Sequence, residues 1–136
     1  GYRDALLKAG IAYDPGLIAQ GEFSHESGIK GANRLLDLAN RPTAIFAAND
    51  QTAFGARLYL YEQGLRVPED VSLVGFDDIA LSAYQIPPLT TVRQPIQDIG
   101  IALGRALRAV LAGEVPTLPR LELRLVERAS VREVRA

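Results

Sequence analysis

Two rhythms of apolar residues alternate along this chain. Residues 43–48, "TAIFAA", and 71–76, "VSLVGF", are short and apolar at successive positions, as strands covered on both faces are. Elsewhere apolar residues recur every three or four positions. One such series is Ile29, Ala32, Leu35, Leu36 and Leu38, a second is Ala53, Ala56 and Leu60, and a third is Ile96, Ile99, Leu103, Ala106, Leu107 and Val110. Cap and turn residues bound these helices. An opening helix with Leu6 and Leu7 is closed by Gly10, Ser24 starts the next, and Asp50 caps a helix from 51 to about 63 that Gly64 ends. Pro95 suits the first turn of a helix over about 96–112. "LIAQG" (17–21) is expected as a short strand, "LTTVRQ" as an extended segment, and "LELRLVER" alternates like a half-exposed strand. Strands and helices in turn, 25–30 residues apart, predict an α/β fold with a mainly parallel sheet and helices on both faces.

In open parallel sheets, ligands sit beyond the carboxyl ends of the strands. Asn49 and Asp77 stand at two such ends. An amide offers donors and an acceptor, an ionised carboxylate acceptors only, a combination that suits a neutral molecule bearing hydroxyls. The plainer alternative is that both residues cap the helices that follow. Asp50 and Asp78, one step further on, are expected as helix-terminal supports.

Composition narrows the chemistry. The chain has no cysteine, which excludes disulfides, thiolate metal sites and cysteine nucleophiles. A net charge of −1, without a cluster of Lys and Arg, gives no footprint for gripping nucleic acid directly. No catalytic or phosphate-loop motif is present, and His25 has no activating nucleophile beside it. Mg²⁺ at Asp77 and Asp78 is the main rival from another class. Phospho-receiver domains share such an acidic pair, but on the first strand and with a late lysine, whereas the only lysines here are Lys8 and Lys30. No enzyme activity, cofactor or metal is expected. No apolar run approaches the length of a membrane span. The opening "GYRDALLKAG" reads as the interior of a helix, as in a piece of a longer protein, so the lack of a leader is uninformative.

"RPTAIFAANDQTAFGA", "VPEDVSLVGFDD" and "PPLTTVRQP", in that order, resemble the effector-binding core of the LacI/GalR family of bacterial transcription regulators. The resemblance covers nearly the whole chain and implies a periplasmic-binding-protein-like, two-lobed domain. Such a domain closes on a small effector, a sugar or a nucleoside or purine. It also implies a cytoplasmic homodimeric repressor that binds operator DNA through a helix-turn-helix headpiece outside this sequence. By the same resemblance, residues 1–92 form the second lobe. Residues 93–113 cross over and carry a helix that packs on the first lobe, and 114–136 return as a strand and C-terminal tail. Asn49 and Asp77 fall where the family contacts its effector, and Phe23 where it places an aromatic against the ligand. Ser24 is a position that selects, and Gln94 and Ile96 lie on the crossing segment near the cleft. Thr90, Thr91 and Gln94 belong to the strand that flexes. A periplasmic-type solute-binding protein shares the fold and is the alternative.

The helix from 51 to 63 is more apolar than one buried face requires. Ala53, Ala56 and Leu60 make one stripe, and Phe54, Leu58 and Tyr61 make another. The second, with Tyr84 and Ile86, is expected to form a two-fold dimer interface. The apolar stripe of the helix at 96–112 is expected to find no cover within its own lobe.

Overall fold

A computed structural model describes residues 1–133. Among the described residues, four α-helices and four strands follow in order: α1 (Tyr2–Lys8), α2 (His25–Leu36), β1 (Ala44–Phe46), α3 (Asp50–Glu62), β2 (Ser72–Asp77), β3 (Thr90–Arg93), α4 (Ile96–Leu111) and β4 (Arg124–Val126). The sheet runs β1-β2-β3-β4, parallel between the first three strands and antiparallel at β4. The tail expected up to residue 136 is described as far as 133, and the rest of it lies outside the described residues.

Local signals explain most boundaries. The Ser24 hydroxyl accepts from the Ser27 amide (3.1 Å) and starts α2. Gly10 and Gly64 take positive φ just past α1 and α3. The expected cap of α3 needs correction. Asn49, not Asp50, fills it, accepting from the Thr52 amide at 2.9 Å. Asp50 is the first helical residue, fully buried and pointing into the core.

Helices α2 and α3 pack on each other at backbone distance. A Cβ on Gly28 would collide with the Thr52 carbonyl, and one on Gly55 with the His25 carbonyl. Ala32 and Leu35 of α2 and Ala53, Ala56 and Leu60 of α3 join Ile45, Leu73 and Leu89 in the core. The opposite sheet face is less covered, and Phe46 stands exposed on it. Residues beyond β4 close the sheet's start. Ser130, buried, donates to the Leu73 carbonyl (2.6 Å) and accepts from the Thr90 amide (2.7 Å), tying β2 to β3.

The strand expected at 17–21 does not form. Pro15–Leu17 is a 3-10 turn and no ladder follows it. A strand needs a paired neighbour, and β1 pairs only with β2. A hollow of about 280 Å³ separates residues 17–21 from β1. Arg34 takes the Ile18 carbonyl instead, at 2.6 Å. In α4, no residue is buried, and Ile96, Leu103, Leu107 and Val110 are all exposed.

Candidate functional site

Parallel pairing brings three strand ends to one edge. Phe46 pairs with Val74, and Asp77 pairs with Arg93. Asn49 and Asp77 each lie three residues beyond that first pair, on neighbouring strands, and Gln94 follows Arg93. Three non-glycine residues of the described chain hold positive φ, and all serve this edge or its rim: Phe23 (57°), Asp77 (115°) and Asp78 (55°). Each such conformation costs about 1–3 kcal/mol, so the surroundings must hold it, and such residues gather at binding sites.

The holding contacts are specific. Asp77 accepts from the Gln94 amide at 2.6 Å, so the two proposed contact residues on β2 and the crossing segment meet directly. Asp78 is turned the other way. Its carboxylate, 4% exposed, accepts from Arg93 (2.5 Å) and Arg128 (2.6 Å). Burial alone pushes its carboxyl up, but the hydrogen bonds and charges of Arg128 and Arg93 outweigh burial and hold its pKa below the ordinary value. Asp78 is therefore an ion-pair centre and not the helix-terminal support expected of it. The next residue is held by Asp50, whose carboxylate accepts from the Ile79 amide (3.0 Å), Ser82 (2.5 Å) and Thr91 (2.6 Å). Gly75 makes room for it, because a Cβ there would overlap the Asp50 carboxylate. Two buried carboxylates thus brace the strained turn that presents Asp77.

On the β1 side, the Asn49 amide donates to the Phe23 carbonyl at 3.0 Å while its oxygen caps α3. Phe23 is 63% exposed. Ser24 beside it is occupied in the reciprocal cap with Ser27. The structure therefore joins Asn49 to Phe23, and Asp77 to Gln94. Phe23 borders the 280 Å³ hollow with Gln20, Ser27 and Ala48, whereas Asn49, Asp77 and Gln94 do not line it and stand on the open strand-end edge. No trio of His, Asp or Glu suited to a metal occurs among the described residues, and the two arginines occupy the Asp78 carboxylate that Mg²⁺ would need.

Sequence reasoning missed the work of Asp50, Arg93 and Arg128. "AND" at a strand end signals a cap but not which of its two polar residues provides it. Nothing local marks partners 15 and 50 residues from Asp78.

A second feature is apolar. Leu58, Tyr61, Tyr84 and Ile86 are exposed, and Phe54 is half-buried with its ring 6.2 Å from that of His25. The other stripe of the same helix (Ala53, Ala56, Leu60) is buried.

Such a fold, with polar groups at the ends of parallel strands, is that of a ligand-sensing domain. The chain belongs to the periplasmic binding protein-like domain family, which it matches over residues 1–131, and within it to the effector-binding domains of LacI/GalR regulators. It is 49% identical over 100 residues to the HTH-type transcriptional repressor CytR of Escherichia coli K12, covering 74% of this chain and 29% of that protein. Its structure superposes on a putative transcriptional regulator LacI from Bacillus cereus subsp. cytotoxis with a TM-score of 0.93 at 32% identity, covering 99% of this chain and 49% of that one. Against a CelR–cellobiose complex the TM-score is 0.87 at 41% identity, covering 95% of this chain and 40% of that one. The chain thus spans about a third of the length of the curated relatives it matches. These relatives are transcriptional regulators and not enzymes, and the domain is a regulatory one. No described helix is long and apolar enough to cross a membrane.

Proposed function

We propose that this domain senses a small hydroxylated effector, a sugar by preference over a nucleoside or purine, held in a cleft between this lobe and a second one. The observation that carries the reading is the Asp77–Gln94 pair, braced at a strand end with a left-handed backbone, while on the neighbouring strand end Asn49 holds the segment of the exposed Phe23. Asp77 accepts from hydroxyls, Gln94 and Asn49 offer donor and acceptor, and the Phe23 ring suits the C–H face of a sugar. Ser24 stands next to the ring as a selecting position. The cellobiose bound by the CelR relative fits this class.

The domain performs no chemistry. Its effector shifts the balance between lobe arrangements only through its differential affinity for them. The protein acts in the cytoplasm as a homodimer paired through Phe54, Leu58, Tyr61, Tyr84 and Ile86, and operator DNA is bound by a headpiece outside this chain. The patch of exposed apolar side chains on α3 and the 84–86 turn supports that pairing.

A thermal-shift screen of sugars, nucleosides and purines on the full-length protein, repeated with Asp77→Ala, tests the site. The expected result is a sugar that raises Tm in the native protein and loses at least about tenfold in affinity in the variant, the factor that a lost charged hydrogen bond sets. A hit that binds both proteins equally would refute the assignment.

A further inference from the structure

The side chain of Asn49 is committed twice before any guest arrives. Its oxygen accepts from the Thr52 amide at 2.9 Å, and its nitrogen donates to the Phe23 carbonyl at 3.0 Å, across 26 residues of sequence. The first bond is an ordinary helix cap, which Asp or Ser supplies as well as Asn. The second requires an amide, because neither a carboxylate nor an N-terminal cap as short as serine brings an N–H donor to that carbonyl. Its recipient is one of the three described non-glycine residues with positive φ, a conformation unfavourable for an aromatic residue. Phe23 has little else to hold it. The residue is largely exposed, and the segment 18–23 around it belongs to no helix or sheet ladder.

From this geometry we propose that Asn49 is a positioning residue, which fixes the backbone of Phe23 and so sets the aromatic ring at the rim of the effector site. Ordering the ring beforehand removes part of the entropy cost that a loose side chain would impose on binding. The choice of Asn over Asp or Ser at this cap then follows from the ring and not from the helix. One donor hydrogen and one lone pair of the amide remain for a guest, so the role adds to the contact suggested above. The inference rests on the reading of Phe23 as part of the effector site, but its test needs no effector, so the two fail separately.

The bond that Asn49 holds is the one a chymotrypsin-type protease cuts, since the Phe23 carbonyl is the scissile carbonyl of Phe23–Ser24. Site-resolved proteolysis by mass spectrometry on the full-length protein therefore reads the contact directly. Asn49→Asp keeps the cap and removes the donor. The expected outcome is cleavage after Phe23 faster by roughly three- to tenfold, the range set by one hydrogen bond of ordinary net strength. Cleavage after Tyr59 and Tyr61, in α3, needs unfolding of the helix and stays far slower than cleavage after Phe23 in both proteins, while Tm falls by no more than a few degrees. Asn49→Ser, a good cap lacking one atom of reach, gives the same selective rise if the Asp variant fails to fold. Unchanged cleavage at Phe23 in a folded variant would overturn the proposal. So would cleavage after Phe23 that appears only together with cleavage in α3, because the segment would then open only with the whole domain and Asn49 would be a cap and nothing more.

Discussion

Helices α3 and α4 each carry an apolar stripe at helical spacing, and the two stripes meet opposite fates. The Ala53–Ala56–Leu60 stripe of α3 is buried against α2 and β2, whereas no residue of the α4 stripe is buried and Ile96, Leu103, Leu107 and Val110 stand exposed. The difference lies in connection. Helix α3 follows β1 and precedes β2, so a short crossover returns it onto the sheet. Helix α4 leaves after β3 without returning onto the sheet, and the excursion that carries it is closed by Arg93 before α4 and Arg128 after β4, both on the single carboxylate of Asp78. An apolar stripe states that a face needs cover, and the topology decides which neighbour supplies it.

The contrast breaks most sharply at the buried stripe. Leu60→Ala is expected to destabilise the domain by about 2–5 kcal/mol, the cost of a cavity in a packed core. Leu107→Ala on α4 should change unfolding of the same chain by no more than about 0.5 kcal/mol, as at other exposed positions. Urea denaturation of both variants measures the difference. Equal losses would mean that α4 is docked on its own lobe.

The clasp at the ends of the α4 excursion should show a smaller effect that depends on pH. Asp78→Asn is expected to cost about 1–3 kcal/mol near neutral pH by weakening two charged hydrogen bonds. Because the folded pKa of Asp78 lies below its unfolded value, its contribution is complete above the unfolded pKa and is lost as pH falls through the folded one. Tm of the native chain should therefore drop faster on acidification than Tm of Asp78→Asn. Parallel curves would show that the clasp contributes no linkage.

The smallest effect on folding, yet an informative one, concerns the other face of α3. Tyr61→Asp, at a side chain that stands exposed on that stripe, is expected to leave the monomer's fold intact, within about 0.5 kcal/mol, while weakening dimerisation. Sedimentation of the full-length protein reads this. An unchanged mass would assign the apolar stripe no role in pairing.

Much of this was legible in residue order. The parallel strands, the Ser24 cap, the Gly10 and Gly64 terminations and the division of α3 into two stripes all follow from spacing and cap chemistry acting over a few residues. So does the delivery of Asn49 and Asp77 to a common edge, because parallel strands end on the same side, whereas Gln94 was reached only through the family resemblance. The segment 17–21 misled for the same reason. Its residues suit a strand, but a strand exists only where another backbone completes its hydrogen bonds.

By itself, then, the sequence determined the kind of fold and which polar side chains stand at the strand ends, since both depend on periodicity and local capping. Only the tertiary structure decided what those polar groups do. Asn49 caps α3 and holds Phe23, Asp50 braces the turn after β2, and Asp78 answers two distant arginines while Asp77 meets Gln94. Neighbouring residues of similar chemistry were separated by the direction each faces and by partners up to 50 residues away, and those are properties of the folded chain alone.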